Sequence, residues 1–273
     1  MKKITKVIIP VAGWGSRWLP LTKVIEKCML PIGNRPLIDY IVEDCLKAGI
    51  DEFIFVVSEQ SNQLEAYYRS NLHLNDYLRR NGKEELLASV RPIDAKMHFI
   101  TQPSYGKYGT AVPVGLALDY LEDDESAVVL MGDDFIYNRD GSSEVKRLID
   151  ATPDGQCSLM AKRVGEDEIS KYGIIRMDGD GNYQEIIEKP SKDEAPSDLA
   201  SIGKYIMTKE AIKLCNEVGM SPRGEYELPD AINSLVASGG AVKVVTIVGT
   251  HLDGGTPDSW LRANNVVAES SNT

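Results

Sequence analysis

The chain has 273 residues, 42% of them hydrophobic, and a formal net charge of −11 from 41 acidic and 30 basic side chains. That length accommodates one large α/β domain or two small ones with an ordinary buried core. The excess of acid repels nucleic-acid backbones and anionic membrane surfaces, which removes both from the expected partners.

Met1 to Val11 places lysines ahead of a short apolar run, but Pro10 interrupts it and it lacks the length of a signal sequence. Within it, Lys6 to Val11 is β-branched, almost wholly apolar and followed by a glycine-rich loop, the pattern of a buried parallel strand. Pro36 to Ala48 predicts a helix. Leu37, Ile38, Ile41, Val42, Cys45 and Leu46 recur at helical spacing, Pro36 suits the first turn and Gly49 the C-terminal cap. Phe53 to Val57 is a second buried strand, and the β-loop-α-β order implies a right-handed crossover in a parallel sheet. Ser61 to Ala95, rich in charge and helix formers, reads as a helical excursion at about 61–95, after which Lys96 to Thr101 resumes the sheet. Thr110 to Leu121 predicts a helix and Ala127 to Met131 a buried strand that stops at Gly132-Asp133-Asp134. In the second half, strands are predicted at Ser158 to Val164, Gly173 to Met177, Tyr183 to Glu188 and Val242 to Val248. Helices are predicted at Lys209 to Glu217, Leu228 to Ala237 and Pro257 to Glu269. Asp193 to Asp198, acidic and holding Pro196, predicts a mobile surface loop. No segment reaches membrane-spanning length and no repeat or linker divides the chain, so one continuous domain over 1–273 is the simplest reading. Cys28, Cys45, Cys157 and Cys215 lie far apart with no C-x-x-C pair, which predicts reduced thiols in a cytoplasmic protein.

Gly13-Trp14-Gly15 after the first strand suggests the dinucleotide fingerprint, but the third glycine position holds Trp18, too bulky for the close helix approach that motif needs. No G-x-x-x-x-G-K-[ST] run occurs either. What remains is a loop that turns backbone N–H groups towards an anion beside Arg17, Lys23 and Lys27, and a triphosphate suits that description. A tight turn with solvated basic side chains accounts for the same residues. Asp133 ends one predicted strand and Asp253, in THLDGGTPDSW, another; in a parallel sheet strand ends gather along one edge, where ligands bind. Two such carboxylates suit one Mg²⁺, which takes oxygen ligands from one or two carboxylates plus substrate phosphates. Capping of helices or turns is the alternative for both. Glu188-Lys189-Pro190 puts an acid and a base at a further strand end, as a substrate contact or a surface ion pair. His251 reads as a structural histidine and Cys28 as an inert thiol. Trp14 and Trp18 either stack on a base or sugar or pack over the loop.

With these residues on hand, the chain resembles the bacterial UTP–glucose-1-phosphate uridylyltransferases, within the sugar-nucleotide pyrophosphorylases. The family opening, roughly A-G-x-G-[TS]-R-x-L-P-x-T-K-x-x-x-K-x-M-L-P, is met from Ala12 through Pro31. The likeness continues through RPLIDYIVEDCLKAGI, QPSYGKYGTAV, VVLMGDD, KYGII, EKP, GEYELPDAI and LDGGTPDSWLRAN, nearly the whole chain. The helical excursion is similar to that of the uridylyl branch rather than the shorter thymidylyl branch. The resemblance implies a Rossmann-like α/β nucleotidyltransferase fold, with a mixed, mainly parallel sheet flanked by helices and a sugar-binding half. By the same resemblance Ala12, Gly13, Gln102 and Gly109 would contact uracil, with Gly15 also on the nucleotide, and Arg17 and Lys27 would grip the triphosphate. Asp133 and Asp253 would carry Mg²⁺, while Gly173, Glu188 and Lys189 would hold the sugar and its phosphate. The sequence departs from the family pattern at Glu26, where proline is usual, at Cys28, and at Thr110, where histidine is common. Glu26 is expected to weaken the positive field between Lys23 and Lys27.

The reaction so implied joins UTP to glucose 1-phosphate, giving UDP-glucose and pyrophosphate. The attacking phosphate is already ionised at neutral pH, because its second pKa lies near ~6, so no general base is required. Catalysis then rests on alignment and charge neutralisation, with Arg17, Lys27 and Lys189 as the expected catalytic cations. The alternatives are a thymidylyl- or cytidylyltransferase acting on the same sugar phosphate, and a catalytically silent nucleotide-sugar sensor. A glycosyltransferase would need a D-x-D spacing that Asp133-Asp134 lacks. The family generally forms dimers or tetramers, so a homodimer or homotetramer is expected.

Overall fold

Along β1 (Lys6–Pro10) the side chains of Val7 and Ile9 enter one core and that of Ile8 the other, all three fully buried. A strand that is apolar on both faces needs a helix layer on each side, and the chain supplies both. The computed structural model describes residues 3–271, so residues 1, 2, 272 and 273, the extreme ends of the expected 1–273 domain, lie outside it. A short ribbon of β2 (Pro31–Ile32) and β3 (Arg35–Pro36) leads into α1 (Leu37–Lys47), which buries Leu37, Ile38, Ile41, Val42 and Cys45. Gly49, at φ 85°, ends it and turns the chain into β4 (Glu52–Ser58). Between β4 and β5 (Lys96–Gln102) lie α2 (Gln63–Tyr68), α3 (Leu72–Arg80) and a 3₁₀ turn over Glu84–Val90, which make up the helical excursion.

The predicted helix from Thr110 to Leu121 is two pieces, α4 (Ala111–Leu116) and a 3₁₀ turn at Leu118–Tyr120. Asn216 Nδ2 donates to the Gly115 carbonyl at 3.1 Å, a side-chain partner at the point where the helix stops. Next come β6 (Ser126–Leu130), β7 (Asp134–Tyr137) and α5 (Glu144–Ala151), whose N-cap is Ser143. Then follow β8 (Cys157–Arg163), β9 (Gly173–Met177), β10 (Tyr183–Glu188) and the ten-residue β11 (Leu199–Thr208). The chain closes with α6 (Lys209–Leu214), α7 (Leu228–Ala237), β12 (Val242–Thr246), β13 (Thr250–Asp253) and α8 (Pro257–Ser271).

The main sheet runs β10-β9-β11-β6-β1-β4-β5, with β8 pairing β11 and β12 pairing β8. Pairs β6–β1, β1–β4 and β4–β5 are parallel, whereas β11 is antiparallel to β6, β8 and β9. This is the expected mixed sheet flanked by helices. One helix layer includes α1, α5 and α8, the other α4, α6 and α7. β7 and β13 stand outside the sheet as an antiparallel ribbon. The stretch from Asp193 to Asp198 is not a bare loop: Lys192–Glu194 forms a 3₁₀ turn closed by a Ser191/Glu194 capping box, and Asp198 takes two hydrogen bonds from Arg163 Nη1 at 2.6 and 2.7 Å. Among the described residues, no helix is long and apolar enough to cross a membrane.

Candidate active site

The C-terminal ends of β1, β5 and β6 share one rim, and two clefts open there. The first, about 450 Å³, is walled by the loop after β1, by Gln102 at the end of β5, by Gly109 ahead of α4 and by Asp133 after β6. The second, about 340 Å³, lies towards the antiparallel half and includes Gly173, Glu188 and Glu227. Asp133, Lys189 and Arg223 line both, so the clefts share a wall.

Ala12, Gly13, Gly15, Gln102 and Gly109 all line the first cleft. Two of the glycines are forced. Gly15 sits at φ 60°, a Cβ there would meet Thr22 Cγ2 at 2.9 Å, and Thr22 Oγ1 donates to its carbonyl at 2.9 Å. Gly109 sits at φ 134°, and a Cβ would fall 2.3 Å from the Tyr226 carbonyl oxygen. The two loops are thus clamped from beneath while their upper faces stay open to the cleft.

Arg17, on a 3₁₀ turn over Ser16–Trp18, is exposed at the cleft and has no ion pair among the described residues. Lys27 is half-buried, and its ammonium is paired with Asp133 Oδ2. Lys23 is exposed and lines neither cleft. Lys189 has φ 48°, a left-handed conformation that costs a non-glycine residue of order 1–3 kcal/mol and persists only where surroundings enforce it. Here the Tyr172 carbonyl accepts the Lys189 N–H at 3.0 Å. Gly173 is the register partner of Glu188. Burial, reinforced by repulsion from Glu227, holds the Glu188 carboxyl above its ordinary pKa, against the pull of Lys189 and Arg223. Arg223 Nη1 donates to Glu188 at 3.1 Å and approaches Glu227 at 3.3 Å.

The backbones of the two acids expected to bind metal lie close together by a different route from the one the sequence suggests. Asp133 follows β6 at the sheet rim, but Asp253 ends β13, which is not a strand of the main sheet. The β7–β13 ribbon pairs Asp253 with Asp134, and the Asp133 carbonyl accepts the Gly254 N–H at 2.9 Å, so the backbones of the two acids are neighbours. Asp253 itself lines neither cleft; Gly255, which does, lies between. Asp253 Oδ1 accepts Gly255 N–H and Ser259 Oγ, each at 2.8 Å, and Asp133 Oδ2 accepts Lys27. Each carboxylate keeps one oxygen without a hydrogen-bond donor among the described residues. Carboxylate oxygens are the donor type that suits Mg²⁺, which takes its remaining ligands from substrate and water. No group of three or more acids, histidines or cysteines suited to a metal is found among the described residues.

Asp134 also lines the second cleft, but its carboxylate is already engaged. Lys204 Nζ and His251 Nε2 (2.8 Å) both bond its carboxylate, and although burial opposes it they hold the group at about 2. His251 is therefore a structural partner, not a ligand. Cys28 is buried and its thiol pushed well up by burial and by Glu26, so it is inert. Glu26 has structural partners: its carboxylate accepts Ser61 Oγ at 2.7 Å and the N–H groups of Asn62 and Gln63 at 2.9 and 2.8 Å, capping α2. Glu26 thereby holds a structural role beside the expected effect on the field of its lysine neighbours. Thr110 Oγ1 likewise accepts the Leu228 N–H at 2.9 Å at the start of α7. Arg223 and Tyr108, both at the clefts, escaped sequence reasoning; the only signal for Arg223 was its place directly before GEYELPDAI.

A profile of the nucleotidyl transferase family matches residues 6–270. A Pseudomonas aeruginosa protein named UTP–glucose-1-phosphate uridylyltransferase is 32% identical over 273 residues, covering 97% of this chain and 96% of its own. A Streptococcus pneumoniae protein of the same name is 36% identical over 242 residues, 85% of this chain and 80% of that one. Among solved structures, a UDP-glucose pyrophosphorylase complexed with UDP-glucose superposes with a TM-score of 0.83 at 27% identity, over 97% of this chain and 99% of that chain. A UTP-bound UGPase from Acinetobacter baumannii does so with a TM-score of 0.86 at 26% identity, over 97% and 93%.

Proposed function

The chain belongs to the nucleotidyl transferase family, and from that membership we infer that it is a UTP–glucose-1-phosphate uridylyltransferase, making UDP-glucose and pyrophosphate. The observation that carries the reading is the shared wall: two clefts, about 450 and 340 Å³, meet at Asp133 and Lys189, as a transfer between two phosphorylated substrates requires. UTP takes the first cleft, with its base towards Ala12, Gly13, Gln102 and Gly109 and its triphosphate towards Gly15, Arg17 and Lys27. Glucose 1-phosphate takes the second, between Gly173, Glu188 and Lys189.

A phosphate oxygen of the sugar phosphate attacks the α-phosphorus in line. The new P–O bond forms as the bond to the β-phosphate's bridging oxygen breaks, and pyrophosphate leaves. The nucleophile is ionised at neutral pH, so no proton acceptor is needed, and neither cleft is lined by a histidine among the described residues. Lys189 offsets repulsion between the two anions, and an arriving triphosphate draws Lys27 from Asp133, freeing that carboxylate oxygen. Asp133 and Asp253 would hold Mg²⁺, which supplies charge neutralisation on the phosphates when bound. Arg17, with no ion pair to leave among the described residues, grips the leaving pyrophosphate. We place the enzyme in the cytoplasm as one nucleotidyltransferase domain and a homodimer or homotetramer. Four buried cysteines without disulfides agree with a reducing compartment.

The test is pyrophosphate release with UTP, dTTP, CTP and ATP against glucose 1-phosphate and its epimers, with and without Mg²⁺. UTP with glucose 1-phosphate should be the preferred pair. Preference for dTTP or CTP would reassign the nucleotide, and no release with any pair would make the protein a nucleotide-sugar sensor.

A further inference from the structure

We propose that Trp14 and Tyr108 form an aromatic clamp on the nucleobase of the bound triphosphate. This rests on the nucleotidyl-transfer reading and adds two residues that touch the base. The three tryptophans differ in their surroundings. Trp18 donates from Nε1 to the Gly254 carbonyl at 2.7 Å and meets Trp260 edge-on at 5.8 Å, and Trp260 donates to the Pro31 carbonyl at 2.7 Å. Trp14 has no hydrogen bond or ring contact among the described residues and is 57% exposed; Tyr108 is 54% exposed, with no side-chain partner.

Both aromatic residues line the first cleft and also a smaller pocket of about 40 Å³ beside it, so they form the partition between the two, next to Ala12 and Gln102. Their backbones are already fixed. Trp14 is followed by Gly15, held by Thr22, and the Tyr108 carbonyl accepts the Tyr226 N–H at 2.8 Å while Lys107 lies over the Tyr226 ring at 4.8 Å. Only side-chain rotation remains to be ordered on binding. Two large aromatic faces kept in water at the base end of a nucleotide cleft gain most by covering a flat, apolar-faced ligand. Stacking is indifferent to which base is present, whereas the Gln102 amide can read a base edge. The clamp thus supplies affinity and Gln102 selectivity.

Titration of the full chain with UTP, followed by tryptophan fluorescence and by calorimetry, tests this. The wild type should show a fluorescence change that Trp14→Phe abolishes while still binding UTP. Trp14→Ala and Tyr108→Ala should each bind UTP, dTTP and CTP on the order of ten- to a hundredfold more weakly, by a similar factor for the three. Inhibition by inorganic tripolyphosphate should stay unchanged in both, and Tyr108→Phe should behave as wild type. Wild-type affinity for UTP in Trp14→Ala overturns the clamp, as does an equal loss for tripolyphosphate, which would mark a disrupted loop. Failure of the wild type to bind any nucleoside triphosphate would instead overturn the nucleotidyl-transfer reading.

Discussion

Lys27 is paired with Asp133 before substrate arrives, so its ammonium is already aimed at the first cleft and needs little reordering to meet a phosphate. Lys27→Ala should therefore lower kcat/KM by roughly 10²-fold or more, the scale of one strong electrostatic contact, in steady-state pyrophosphate release. Turnover near wild type would remove Lys27 from the chemistry. A second carboxylate, which lines neither cleft, carries a pH dependence. Burial raises Asp44 to about 6, and its Oδ1 is enclosed without a partner. The folded state then keeps a proton that the unfolded chain releases near about 3.9, so stability falls as pH rises from about 4 through about 6 and stays lower above. Asp44→Asn should erase that slope and raise stability at neutral pH by about 1–3 kcal/mol, read from thermal melts over a pH series. A variant that retains the wild-type slope would assign it to another group.

At the level of elements, α2 depends on a carboxylate from a distant loop: Glu26 receives the Asn62 and Gln63 N–H groups that the helix cannot satisfy itself. Glu26→Ala should cost about 0.5–2 kcal/mol while leaving kcat/KM close to wild type. A rise in activity without loss of stability would restore the view that Glu26 damps the field of its lysine neighbours. That cap was illegible in the sequence because the partners are 35–37 residues apart, beyond any local pattern. What was legible follows the same logic in reverse. β1, β4 and α1 announce themselves because both faces of the strands, and one full face of the helix, are apolar. β11 was missed although it is the longest strand, since Gly203 at φ 67° and the buried Lys204 interrupt its apolar run. β7 and β13 have four residues each, with charges inside them, too little for a period to show. Cleft-lining residues such as Gly15, Gln102 and Lys189 were named in the sequence, but Asp253, named with them, lines neither cleft, and the ribbon that brings its backbone beside Asp133 was not foreseen.

For the molecule as a whole, the shared wall between the clefts means that both substrates must be present together for a direct transfer. Initial rates should show intersecting double-reciprocal lines, and parallel lines would point to a covalent uridylyl-enzyme instead. Removal of divalent cations by EDTA should abolish pyrophosphate release, with recovery on adding excess Mg²⁺; metal-independent turnover would leave the two aspartates without their assigned task. A net charge of −11 sets the bulk of the surface against anionic substrates, so attraction has to come from the cations that line the clefts, Arg17, Lys27, Lys171, Lys189 and Arg223. The β7–β13 ribbon has one more consequence for assembly. Two adjacent acids take different partners, Asp133 Lys27 and Asp134 Lys204 and His251. A slip of one residue in pairing would set Asp133 where Asp134 stands, so the buried lysine would still meet an acid, but it would turn the buried Phe135 out of the core. It is thus the phenylalanine, not the repeated acid beside it, that makes the wrong register costly.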